Sequence, residues 1–369
     1  MTKRRLSFLC LLMTLALVMV CPRLLQRGHV QPPGLTGMER QLIRIWLLNT
    51  PGGGQAWLTG QLKQFERQHP GVSTYLRTVT PADLADPAAV WPDVLLFMPG
   101  DLTEPGPLQP LTSGMFSQGL LREELLRCGR WQGQQYALPL CWGAWGLAID
   151  SALEPGSTAA PVPTTLLGRP SATSAPASPA PGYPLDAASQ AACPLQSPGG
   201  AALFTLGLLT DELPSLPERF AALSPGEVYN AFRQRQCATA MLTTGQITAL
   251  NALWGAGSGF AFRVMTADEV ITDQVWLAGI PEGACVAAAL LLSHLTAPAA
   301  QEALRQQELH TVRADLTLYA DGVAARVERA ARRSLAAVNA FLPAQTVSDA
   351  AWQFLQGRRT LEEALLPLL

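Results

Sequence analysis

The chain has 369 residues, about twice the material of a usual single core, so two domains are expected. The formal charge is −2, 15% of residues are charged and 48% are hydrophobic. That balance excludes a disordered chain, and it leaves no basic excess to neutralise nucleic-acid phosphates. Mean hydropathy is +0.16, so the placement of the apolar residues has to decide whether this is a membrane protein.

One apolar run is long enough to matter to a bilayer, and it opens the chain. Lys3, Arg4 and Arg5 precede Leu6 to Cys21, sixteen residues without a charge, ended by Pro22 and Arg23. A basic flank followed by an apolar run is the pattern of an export leader, which sends the rest of the chain outward. Residues 1–25 are therefore expected to be a signal peptide or membrane anchor. Cys21 stands where a lipidated cysteine would, but Val20 replaces the small residue such a site wants. Retention as an anchor, lipidation and cleavage all stay open. Beyond the leader are five cysteines (Cys128, Cys141, Cys193, Cys237, Cys285), odd in number and without a C-x-x-C pair. Buried, unpaired thiols are the expectation.

A polar tether over 26–39 leads into Leu42–Leu48, read as a buried strand. Asn49 to Gly54 is a turn, and Leu58, Leu62 and Phe65 then share one helical face up to about His69. Pro70-Gly71 stops that helix, Val72–Val79 reads as a strand, and another buried strand spans Asp93–Met98. This is the opening of an open α/β sheet. Arg130–Tyr136 predicts a short hairpin, and Ala137–Ile149 an extended apolar segment interrupted at Pro139. Residues 155–182 hold seven prolines and one charge, Arg169, and read as a flexible excursion. Helical periodicity is expected at Gly200–Leu209, Pro225–Arg235, Cys237–Leu253, Ala284–Leu295 and Ala299–Gln307, with a strand at Phe260–Met265. A last helix from Leu361 has Thr360 as its N-cap and Glu363 completing a capping box.

Catalytic signatures are absent from the sequence. His29, His69, His294 and His310 are scattered without metal spacing, and there is no G-x-S-x-G turn. The Gly52–Gly54 run lacks the lysine of a phosphate loop. The expectation is a protein that is not an enzyme, with no catalytic residue, no metal and no cofactor.

Four segments in order resemble the sugar-type, family 1 extracellular solute-binding proteins of bacterial ABC importers. The first is Ile43–Trp46, Gly52-Gly53-Gly54, the amphipathic helix and Phe65 to Val72. The second is Trp91-Pro92-Asp93-Val94 with Gly100-Asp101-Leu102 and Leu108-Gln109-Pro110-Leu111. The third is Gly133 to Asp150, with Tyr136 to Pro139 and Trp145-Gly146-Leu147, and the fourth is Gly357 to Leu365. The resemblance implies a two-lobed α/β, type II periplasmic-binding-protein-like fold with interleaved lobes and a hinge at Pro139. Lobe one would comprise 40–138 plus 275–310, and lobe two 139–265 plus 311–369. It further implies a small solute, a sugar in the first place, captured in the interlobe cleft and delivered to the membrane subunits of an ABC permease. The location implied is extracytoplasmic, with the leader holding the protein at the membrane.

In open α/β sheets the ligand crevice lies beyond the strands' C-terminal ends. Asn49 and Thr50 follow the first strand and Asp101 a later one, where amide, hydroxyl and carboxylate groups suit sugar hydroxyls. Trp142 and Trp145 flank the expected hinge and Trp254 lies further on, each offering an aromatic face to a sugar or to the core. Gln246 stands where the family often carries a stacking aromatic, and Asp150 replaces its usual asparagine. Those departures, with the excursion, motivate an alternative: a degenerate two-lobed sensor or protein-interaction subunit.

Overall fold

The computed structural model describes residues 41–85, 90–112, 120–151, 191–194, 200–209, 223–254 and 262–369. The leader, the tether, Cys21 and the 155–182 excursion lie outside these residues. Among the described residues no helix is long and apolar enough to cross a membrane.

The chain begins with strand β1 (Gln41–Leu47), helix α1 (Gly54–Gln68), β2 (Val72–Thr78) and β3 (Val94–Phe97). Helix α2 (Glu123–Cys128) leads to the hairpin β4 (Arg130–Trp131) and β5 (Gln134–Gln135), then β6 (Ala137–Trp142) and β7 (Trp145–Asp150). Next come β8 (Ala191–Ala192), α3 (Ala201–Leu209), α4 (Pro225–Arg233), β9 (Thr239–Thr243), α5 (Thr244–Leu253) and β10 (Phe262–Met265). The remainder is β11 (Val270–Thr272), β12 (Val275–Gly279), α6 (Ala287–Leu295), β13 (His310–Thr311), α7 (Gly322–Ala331), β14 (Leu335–Ala337), α8 (Ala344–Leu355) and α9 (Leu361–Leu365).

Two sheets organise these elements. The first runs β13-β6-β12-β3-β1-β2 and the second β10-β7-β9-β8. In the first, β1 and β3 are parallel, while β12 is antiparallel to both β3 and β6. Helix α1 lays Trp57, Leu58, Leu62 and Phe65 into the core of this lobe, as their spacing requires. The second sheet is buried on both faces. Trp145, Leu147 and Ile149 alternate toward α3, α8 and α9, whereas Ala148, Ala240 and Leu242 face α4 and α5.

Several expectations need correction. The predicted helix over Cys237–Leu253 is β9 followed by α5, with Thr243 as the N-cap. Pairing to β7 and β8 on either side, with burial on both faces, overrides the local periodicity there. Pro139, expected at the hinge, lies inside β6, opposite Leu277, and the chain leaves the first sheet further on, at Gly143-Ala144. Proline cannot donate to the ladder, and Leu140 beside it is an extra residue that bulges the pairing. The bulged Leu140 carbonyl accepts from Gln301 Nε2 at 2.8 Å, and Gln301 Oε1 accepts from Thr311 Oγ1 and Val312 N–H. Val312, Leu318, Val327, Ala330 and Phe341 pack in the first core, although the expected division placed them in lobe two.

Candidate functional site

Strand direction brings the functional loops together. The C-terminal ends of β1, β3 and β6 share one sheet edge with the starts of β12 and β13. That edge carries Asn49-Thr50, Gly100-Asp101, Gly143-Ala144, Asp273-Gln274 and Glu308. In the second lobe, Thr243 pairs with Trp145 and Met265 with Leu147, so Thr244-Gly245 and Thr266 form the edge nearest the crossing. The chain passes between the two sheets at 143–144 and 266–274.

Asn49 is fixed on both sides. Its carbonyl accepts from the indole N–H of Trp276 at 2.9 Å, and its side-chain oxygen accepts from Thr50 N–H at 2.9 Å. Its amide nitrogen reaches Asp101 Oδ1 at 3.5 Å, while Asp101 Oδ2 accepts from Met98 N–H at 2.7 Å. Among the described residues no cation meets the Asp101 carboxylate, and burial raises its pKa to about 6. The structure thus brings three expected ligand residues, Asn49, Thr50 and Asp101, into one cluster. Beside it lies an open depression of about 520 Å³ lined by Thr50, Pro51, Gly52, Gly53, Gln55, Ala56 and Thr59.

The three tryptophans expected in the cleft are buried. Trp142 is 1% exposed, stacks on His310 at 4.4 Å, and donates its indole N–H to Thr311 O at 2.9 Å. Trp145 is 2% exposed and donates to Asp273 Oδ1 at 2.9 Å. The cavity it borders measures about 10 Å³, room for one water at the most. Trp254 caps the end of α5 and meets Phe262 edge-on at 6.1 Å. Each of the three indoles is packed into a core. Gln246 has a local task as well: its side chain accepts from Thr243 N–H and donates to Pro225 O, closing a capping box.

Residues that sequence reasoning missed are Trp276, Asp273 and Glu308. Asp273 holds Trp145 through one oxygen and caps α3 through the other, which accepts from Ala201 N–H at 3.0 Å. Glu308 adopts the left-handed backbone at φ 50°, and burial raises its carboxyl pKa. A non-glycine residue in that conformation is a signal only coordinates display. Among the described residues no group of three or more His, Cys, Asp or Glu could hold a metal ion, and no two cysteines form a disulfide.

No family model matches the sequence, and no curated protein does. Solved structures match over most of the chain. The acarbose-binding GacH receptor of Streptomyces glaucescens aligns with a TM-score of 0.59 at 12% identity, covering 88% of this chain and 96% of its own. Maltose-bound MalE3 of T. maritima gives 0.58 at 14%, covering 88% and 97%. An ABC transporter solute binding protein from Thermotoga lettingae, bound with α-D-tagatose, gives 0.57 at 14%, covering 89% and 97%. At such identities the likeness establishes the architecture: the chain has the two-lobed α/β, type II periplasmic-binding-protein fold. That is the fold the sequence resemblance implied.

Proposed function

We propose that the protein is an extracytoplasmic solute-binding protein of an ABC importer, tethered at the membrane by its N-terminal segment. The solute is a carbohydrate or similar polyol, held between the two sheet edges and released to a permease. The observation that carries this reading is the Asn49–Thr50–Asp101 cluster, poised at strand ends beside the crevice with a carboxylate that no cation pairs among the described residues. A carboxylate without a cation is a strong acceptor for sugar hydroxyls. The sugars named with the structural neighbours support the same ligand class. Closure follows from differential affinity, because a solute touching both lobes favours the state in which both are within reach.

A thermal-shift screen against mono- and oligosaccharides tests this directly. A true ligand at a hundredfold its Kd adds about 2.7 kcal/mol of stability, a shift of several degrees. Absence of a shift with every sugar, amino acid and polyamine would remove solute capture as the function and favour the sensor or protein-interaction alternative.

A further inference from the structure

The two lobes meet at a seam beside the cluster. Gly52, in the loop before α1, and Gly245, in the first turn of α5, bring their backbones together. A methyl group placed on Gly245 would lie 3.5 Å from the Gly52 carbonyl oxygen. Gln307 covers Gly53, with its atoms 3.0 to 3.2 Å from where a Gly53 methyl would sit. The next residue is Glu308. Its left-handed turn is pinned by Glu308 N–H to Arg305 O at 3.2 Å and Leu309 N–H to Leu304 O at 3.3 Å, with Leu309 buried in the first core. That turn aims the carboxylate out of lobe one, where Oε2 accepts from the hydroxyl of Thr248 on α5 of lobe two.

Thr248 has a second acceptor. Its Oγ1 also lies 3.1 Å from the carbonyl oxygen of Thr244, one turn earlier in its own helix. A threonine hydroxyl has one proton to give, so it donates either within α5 or across to Glu308. When the lobes part, the hydroxyl falls back on Thr244 and no donor is stranded. The opening lobe exposes the Glu308 carboxylate to water, where it is fully solvated. Both ends of the contact therefore have a satisfied alternative, which makes it weak and reversible.

We infer that Glu308 and Thr248 form an interlobe latch, a proton-donor switch on α5 that biases the two lobes toward closure. The inference rests on the reading that the lobes open and close, but it does not depend on which solute is bound. It assigns Glu308 a positioning role that acts on the equilibrium between lobes.

The test is a spin-label distance measurement on the full chain carrying Lys63→Cys on α1, Asn230→Cys on α4 and Cys285→Ser. Lys63 and Asn230 are exposed, and the other four native cysteines beyond the leader are buried. Thr248→Val should raise the ratio of long to short interlobe distances about two- to tenfold, the worth of one hydrogen bond. Glu308→Ala should do the same, and the double variant should go no further than either single one. Glu308→Gln keeps an acceptor and should keep the short distance. A Thr248→Val distribution equal to the parent, or single effects that multiply in the double variant, would overturn the latch. A protein that captures no solute and yet opens in these variants keeps the latch and loses the transport reading. The reverse result separates them the other way.

Discussion

Asp101 receives hydrogen bonds from a backbone amide and from the Asn49 side chain, neither of them charged. Its carboxyl pKa stands near 6 against an ordinary 3.8, and the sign of the effect follows from linkage. Between about pH 4 and pH 6 the folded protein keeps a proton that the unfolded chain has lost, so stability falls as pH rises through this window and is level above it. The loss is about 3 kcal/mol at most. Asp101→Asn should remove that component, and urea midpoints from pH 4 to pH 7 will show it as a flatter curve than the parent's. Parallel curves would mean the carboxylate is compensated in solution. The acid component belongs to the residue because its cause is burial that two neutral hydrogen-bond donors do not offset.

The elements differ in how far local sequence fixes them. Strand β1, the glycine turn, α1 and β2 were legible because their periods and Pro70-Gly71 agree, and the Thr360–Glu363 capping box forms as its spacing requires. The strand β9 was not, since a segment buried on both faces loses the alternation that marks a strand. Nor was the crossing: Pro139 is the visible break in the sequence, but where a strand ends depends on where its neighbours stop pairing. The candidate site was half legible. Asn49, Thr50 and Asp101 follow from strand ends, whereas the direction of a tryptophan ring depends on partners such as Thr311 and Asp273 that lie over a hundred residues away. Glycines give a test at this scale. A methyl on Gly129, at the end of α2, would overlap the backbone carbonyl of Ala137, which is held in place because Tyr136 and Ala137 donate to the Gly129 carbonyl. Gly129→Ala should cost about 3 kcal/mol, while Gly60→Ala, in open space within α1, should gain about 0.5 to 1 kcal/mol. Equal denaturation midpoints for the two variants would refute the packing described around the β4–β5 hairpin.

Leu42–Leu369 forms one unit in which, among the described residues, two lobes share three crossings of the chain. The first two are 143–144 and 266–274. The third lies near 341–347, since Phe341 packs in the first core and Val347 in the second. Multiple crossings favour relative movement about a common seam over separation. They also leave the crevice between two sheet edges whose loops come from distant parts of the chain. The positive mean hydropathy that opened the question of membrane residence has its counterpart here in cores of leucine, alanine and tryptophan.

The proposed function puts the solute at the Asn49–Asp101 cluster. Calorimetric titration with the carbohydrate giving the largest thermal shift, against the parent, Asn49→Ala and Asp101→Asn, tests it most directly. The account predicts about ten- to a hundredfold weaker binding in Asp101→Asn, the worth of a hydrogen bond to a charged acceptor, a smaller loss in Asn49→Ala, and melting temperatures no lower than the parent's for Asp101→Asn. Unchanged affinity in both variants would contradict it and place the solute elsewhere.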